Sequence, residues 1–296
     1  MMRGRWIILM LMILVQVGLA QHGAMYSQYM FNGLLINPAY AGGNEVMNLT
    51  AVNRNQWVGF DGAPRTTTFS AHTPLKNRKL NLGISFMNDQ MGITKQNRIS
   101  GVFAYRLFFK KSSLSFGLQG GVNMIRNNWD NIYTTTPGDL VFTTAPTQQN
   151  LPEVMFGVYY KHEKFFAGIS APELLKAGKG TGATYKPALI AAGYLFSVSD
   201  EIKIKPSVLV KYIKNSPLEL DLNTNVYFKA FGLGVSYRTN DAMVFMATYN
   251  INHQFSAGYA YDLTISKLGT YVRSSHEIML KYEFGYSVHP QSPRYF

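Results

Sequence analysis

Ser70-Ala-His72 sets a hydroxyl and an imidazole two residues apart. In an extended chain both side chains share one face, the beginning of a lipase-type nucleophile and base pair. Nucleophilic catalysis also needs a group that orients the imidazole and donors for an oxyanion. Neither is identifiable near this pair. The six histidines (His22, His72, His162, His253, His276 and His289) are scattered without ligand spacing and there is no cysteine, so no metal site is expected. Glycine-rich loops of the Walker or dinucleotide type are missing as well. Lys76–Lys79 and Lys110-Lys111 are short basic groups that suit acidic headgroups, a partner, or simple solvated turns. No catalytic, metal-binding or cofactor-binding residue is therefore assigned, and no cofactor is implied. The chemistry to be expected is that of surfaces.

The elements carrying those surfaces follow from composition and periodicity. The 296 residues hold 28 Lys+Arg against 16 Asp+Glu, a net charge of +12, with 47% hydrophobic and 14% aromatic residues. That hydrophobic content excludes a disordered chain, and the missing cysteines exclude a disulfide scaffold. A basic start, Met1–Arg5, leads into the apolar run Trp6–Val15 and the small-residue end Gly18-Leu-Ala20. This is the pattern of a secretory signal peptide, with cleavage expected after Ala20. The run is short for a spanning helix. Losing Arg3 and Arg5 lowers the charge from +12 to +10. An exported chain leaves the cytoplasm, so the basic balance is not read as nucleic-acid binding and no nucleic-acid partner is assigned. No cysteine stands at the cleavage point to carry a lipid anchor.

The rest of the chain alternates with period two. Leu218, Leu220, Leu222, Val226 and Phe228 interleave with Glu219, Asp221, Asn223, Asn225 and Lys229. Leu114, Phe116, Leu118, Val122 and Met124 interleave with Ser, Gly, Gln and Asn. Only a strand sorts residues this way. Fourteen such segments occur, at 47–57, 65–73, 80–88, 98–109, 113–125, 153–162, 164–171, 185–198, 202–213, 218–229, 230–239, 242–251, 255–263 and 276–286. An even number of strands of that length is what a transmembrane antiparallel barrel requires. The polar faces carry Arg106, Lys161, Lys203, Lys205, Glu219, Asp221, Arg238 and Lys281, which must point inward, away from lipid.

Connection lengths point the same way. Even-to-odd linkers such as 110–112, 163 and 199–201 are short, whereas 89–97, 126–152, 172–184 and 264–275 are longer, as for periplasmic turns and surface loops. Aromatics at strand ends, among them Trp57, Phe108, Phe109, Tyr159, Tyr160, Phe165, Phe166, Tyr194, Tyr212, Tyr237, Tyr249 and Tyr286, suit membrane interfaces. The expected organisation is a signal peptide at 1–20, an N-terminal extension at 21–46 and an all-β outer-membrane barrel at 47–296. The expected location is the outer membrane, in contact with its lipid.

The extension reads Tyr26-Ser-Gln-Tyr-Met30-Phe-Asn-Gly-Leu-Leu35-Ile-Asn-Pro-Ala-Tyr40-Ala-Gly. It is followed by Asn53-Arg-Asn-Gln-Trp57-Val-Gly-Phe-Asp-Gly62-Ala-Pro-Arg-Thr and Phe69-Ser-Ala-His-Thr-Pro74-Leu. These runs, with Ser275–Leu280 and Ser292–Phe296, resemble the PorP/SprF family of outer-membrane proteins of the type IX secretion system. Gly33 is one departure from that pattern. The resemblance implies a non-enzymatic component that works with periplasmic ring and motor subunits. It also implies help in exporting, or holding at the surface, the C-terminal domain of a client such as a gliding adhesin.

Asn37-Pro38 favours a turn, and Tyr29, Phe31 and Tyr40 make the extension apolar. It is expected to plug the lumen or its periplasmic mouth, to dock a periplasmic partner, or only to close the barrel as a strand. Tyr29, Phe31, Asn32, Asn37, Pro38 and Tyr40 are its candidate contact residues. Trp57, Asp61 and Arg65 flank the Gly62-Ala-Pro64 turn. They suit either a client contact or a tight hairpin in which Asp61 and Arg65 pair with each other or with lumen charges. The rival to a secretion component is a passive porin or small-molecule transporter.

Overall fold

The computed structural model describes residues 26–129, 147–172, 187–213, 216–272 and 274–284. Its strands are β1 (Met47–Asn55), β2 (Arg65–Pro74), β3 (Leu80–Met91), β4 (Thr94–Phe108), β5 (Ser112–Asn127), β6 (Gln148–His162), β7 (Phe165–Pro172), β8 (Ala188–Tyr194), β9 (Phe196–Ser197), β10 (Ile202–Tyr212), β11 (Glu219–Phe228), β12 (Phe231–Arg238), β13 (Ala242–Asn250), β14 (Phe255–Thr264) and β15 (Ser274–Phe284). Neighbours in sequence pair antiparallel, and β15 returns to pair with β1, so the sheet closes on itself. Both β8 and β9 pair with β10 in one register, Gly193 opposite Ser207 and Phe196 opposite Ile204. They are two pieces of one stave, and the barrel has fourteen. The interruption faces Pro206, which has no N–H for a ladder.

Alternation sorts the two faces as the period demands. Along β12 exposed and buried residues alternate without exception. Leu222, Phe245 and Leu280 face outward, while Asp221, Asn225, Arg238 and Glu277 lie buried inside. Among the described residues no helix is long and apolar enough to cross a membrane. The closed sheet with its apolar side chains outward is the arrangement by which a barrel crosses one. Outward apolar side chains replace water contact with lipid contact. Leu118→Arg, on the outer wall between Phe103 and Phe156, is expected to cost about 2–4 kcal/mol near the bilayer midplane. Urea unfolding of the protein in lipid vesicles measures it.

The short connections run from two to five residues, at 75–79, 109–111, 163–164, 198–201, 229–230 and 251–254. Three expectations need correction. The loop expected at 89–97 is a tight hairpin, because β3 and β4 continue pairing up to Met91 and Thr94 and Gly92 takes φ +54 in the turn. Likewise β5 and β6 extend into the loop expected at 126–152, to Asn127 and Gln148. Tyr159 and Phe166 belong to no interfacial belt. They stack inside the lumen, ring centroids 5.8 Å apart. Tyr286, most of the 126–152 and 172–184 loops and the signal peptide lie outside the described residues.

Candidate functional site

The lumen is occupied by the chain's own residues 26–45. Three single 3₁₀ turns, Tyr29–Phe31, Gly33–Leu35 and Pro38–Tyr40, fold this stretch into a compact rod. It runs the height of the barrel. Ser27 lies beside Arg54, Asp262 and Glu277, near the long-loop ends of β1, β14 and β15. Gly42 and Gly43 lie beside His72, Arg106 and Lys161, near the short-turn ends of β2, β4 and β6. The chain then reverses into β1.

Each end of the rod meets charge of the sign its backbone prefers. At the upper end the amides of Ser27 and Gln28 both donate to the Glu277 carboxylate, each at 2.8 Å. The Ser27 hydroxyl bonds Asp262 at 2.7 Å, and the Arg54 guanidinium bridges Asp262 at 2.7 Å and Glu277 at 3.2 Å. Arg238 extends the network to Asp221 at 3.3 Å, and Lys211 continues it at 3.4 Å. At the lower end the cations take the carbonyls. Arg106 donates to Gly42 O at 2.9 Å and Ala41 O at 3.0 Å, and Lys161 donates to Gly43 O at 3.2 Å. Hydrogen bonds to charged groups are the strong ones in a low-dielectric interior, so both ends are held by charge.

Between the clamps the rod presses on a floor made of small residues. Ala104, Gly117, Gly157 and Ser170 are direct cross-strand partners on β4, β5, β6 and β7. A Cβ on Gly117 would overlap the Pro38–Ala39 backbone, and one on Gly157 the Asn37 side chain. Asn37 accepts from Ala39 N at 2.9 Å and donates to Val158 O at 3.0 Å and Ile169 O at 3.2 Å. Pro38 is the first residue of the turn that Asn37 caps, where its missing N–H costs nothing. Tyr40 packs edge-on to His72 and Tyr159 at 5.8 and 5.6 Å. Gly33, the departure noted in the motif, leaves room for the Tyr40 ring. Asn37→Ala removes three hydrogen bonds at once, and about 2–4 kcal/mol of seating is expected to go with them. Faster amide hydrogen exchange over residues 33–43 is the readout.

The remaining sequence candidates separate into two groups. Tyr29 O–H accepts from Asn223 at 2.6 Å, Asn32 donates to Ser70 Oγ at 2.8 Å, and the Phe31 ring lies 5.9 Å from the Lys205 ammonium. With Asn37, Pro38 and Tyr40 these form one continuous internal contact. Trp57, Asp61 and Arg65 are elsewhere, at the rim. Trp57, at φ +48, donates its N–H to Ser275 Oγ at 3.1 Å, while Asp61 and Arg65 are exposed and make no ion pair among the described residues. Pairing of those two is not what shapes the hairpin. Ser70 and His72 do share a face, but it is the inner one, and each is tied to the rod separately, His72 Nδ1 accepting from Gly42 N at 3.1 Å.

Ser27, Gln28, Arg54, Asp262 and Glu277 are site residues that the sequence alone does not mark. Their signal was present as polar residues on strand faces that must turn inward, but which of them meet is a matter of barrel closure. Beside the rod lies an apolar cavity of about 40 Å³, lined by Tyr29, Ile36, Phe166 and Lys205 among others, with room for water-sized molecules only.

Residues 18–282 match the family model described as type IX secretion system membrane protein PorP/SprF. The chain belongs to the PorP/SprF family. It is thereby an outer-membrane component of that secretion system, as the barrel requires. No curated protein sequence matches it. Solved structures similar in fold include the Ralstonia pickettii toluene transporter TbuX, at 10% identity and TM-score 0.54 over 86% of this chain and 93% of that one. The P. putida toluene transporter TodX follows, at 11% and 0.50 over 87% and 95%. Omp33 of Acinetobacter baumannii matches at 7% and 0.50, over 81% of this chain and all of that one. At such identities the likeness of this PorP/SprF protein to them is one of fold.

Proposed function

We propose that this PorP/SprF protein acts without catalysis. In this reading it is a barrel sealed by its own N-terminal segment that binds periplasmic ring or motor subunits and supports export or surface attachment of a client protein such as a gliding adhesin. The observation that carries this reading is the rod seated in the lumen by charge at both ends. An open diffusion pore leaves no place for an obstruction fixed by Glu277, Asp262, Arg106 and Lys161. The Ser70 and His72 side chains are both engaged by the rod, which leaves no free nucleophile–base pair there. The Trp57–Arg65 hairpin, exposed at the long-loop rim, is the surface offered to a client.

Deleting the gene separates this from the rival. Loss of client display, with normal growth on diffusible solutes, is the expected result. Altered solute uptake with normal display would support a porin or small-molecule transporter, the role that the toluene transporters of like fold suggest. Co-purification in mild detergent identifies the ring subunits. Replacing Trp57 and Asp61 together is expected to reduce client display while leaving the barrel folded. Unchanged display would remove the hairpin from the contact.

A further inference from the structure

The outer wall of β2–β6 is built in three tiers toward the long-loop end. The lowest is apolar: Phe69, Phe86, Ile99 and Val122 are successive cross-strand partners, each 41–55% exposed. Two residues higher, about 7 Å along a strand, come Thr67, Asn88, Asn97 and Asn150, in the same outward register with Met124 between the last two. These polar side chains bond laterally, Asn88 to Asn97 at 2.7 Å and Asn53 to Thr67 at 2.9 Å. Two residues higher again, Arg65, Gln90, Lys95, Arg126 and Gln148 form one exposed row. With strands about 4.8 Å apart, Arg65, Lys95 and Arg126 sit within roughly 15 Å of one another. None of the three cations has an acidic partner among the described residues, whereas Asp89 and Glu153 on the same strands lie on the inner side, bonded to Thr66 and Arg98.

This stacking is confined to one side of the barrel. On β11–β14 the outward residues at the same end are Leu222, Tyr237, Met243 and Leu263, apolar or aromatic to the strand ends. A generic interfacial rim would be uniform around the circumference. The longest connections, at 56–64, 128–147, 173–187 and 265–273, all lie at this end, and in outer-membrane barrels the end with the longer loops faces the cell exterior. A hydrocarbon tier, then an amide and hydroxyl tier, then a cation tier is the vertical order of an amphiphile with acyl chains, sugar and phosphate.

We infer that the β2–β6 outer wall binds a phosphorylated glycolipid of the outer leaflet. Its acyl chains lie on Phe69, Phe86 and Ile99, its sugars meet the Asn88–Asn97 tier, and its phosphates meet Arg65, Lys95 and Arg126. The full chain, purified in detergent, is incubated with bisphosphorylated lipid A and read by native mass spectrometry, alongside phosphatidylglycerol and inorganic phosphate. Wild type is expected to retain lipid A in preference to phosphatidylglycerol. R65Q/K95Q/R126Q is expected to retain about tenfold less lipid A, since each cation near an anionic headgroup layer contributes modestly. K76Q/K79Q/K110Q, at the opposite rim, removes the same number of charges as a control and should retain as much as wild type. Heat-modifiable gel mobility reports that each variant is folded, and the three single substitutions, each giving a partial loss, replace the triple if it is not. Undiminished lipid A retention by the triple variant overturns the inference. So does an equal loss of phosphatidylglycerol, or displacement of lipid A by inorganic phosphate alone.

Discussion

Gly157→Val is expected to unseat the Asn37–Gly43 stretch and convert a silent barrel into a conducting one. Gly157 faces the lumen, and its missing side chain is filled by the Asn37 amide and the Pro38 ring. A branched side chain cannot share that volume, and forcing it in costs about 1–3 kcal/mol by overpacking alone. The three Asn37 hydrogen bonds then break as well, at about 1 kcal/mol each. Strand pairing itself is untouched, because a β-branched residue suits an extended backbone. The loss therefore falls on the rod and spares the wall. Planar-bilayer recordings should show discrete open steps for Gly157→Val and a closed baseline for wild type. Gly120→Val is the control, since a Cβ there meets nothing within 4 Å. A deletion of residues 26–43 should conduct at least as well as Gly157→Val. An unchanged closed baseline in both would refute the seal.

Glu277→Ala is expected to be the most destabilising single change at the upper clamp, at about 3–5 kcal/mol. The carboxylate is fully buried and accepts from two backbone amides and from Arg54. Its removal leaves Arg54, itself 2% exposed, with Asp262 as sole ionic partner, and orphans the Ser27 and Gln28 amides. Leaving a buried charge short of its partner costs more than deleting the pair. Glu277→Ala combined with Arg54→Met should therefore be less destabilised than the sum of the two single changes. Denaturant midpoints of the four proteins in lipid vesicles give the coupling directly. Additive losses would mean that Arg54 and Glu277 act independently, contrary to the clamp.

Much of this architecture was legible in the residue order. Period-two alternation is local, so Leu218–Phe228 or Ile278–Phe284 announces a strand and its two faces without knowledge of any neighbour. Fourteen such stretches and their uneven linkers imply closure, because an open edge has no hydrogen-bond partner in lipid. At 89–97 and around 148–152 polar residues suggest loop, and the structure has strand. There β3–β6 continue past the apolar belt, and hydrogen bonding to a neighbouring strand holds Asn88, Asn97 and Asn150 extended without help from lipid.

The sequence by itself determined the barrel, its inside and outside, and an apolar leader motif in need of cover. Only the tertiary structure decided where that leader goes. Glu277 lies 250 positions from Ser27, and the glycine floor is spread over residues 104–170. Such residues become neighbours only when the sheet closes with one particular stagger. Stagger is set jointly by all the strand pairs, so no local pattern of residues encodes which carboxylate meets which amide.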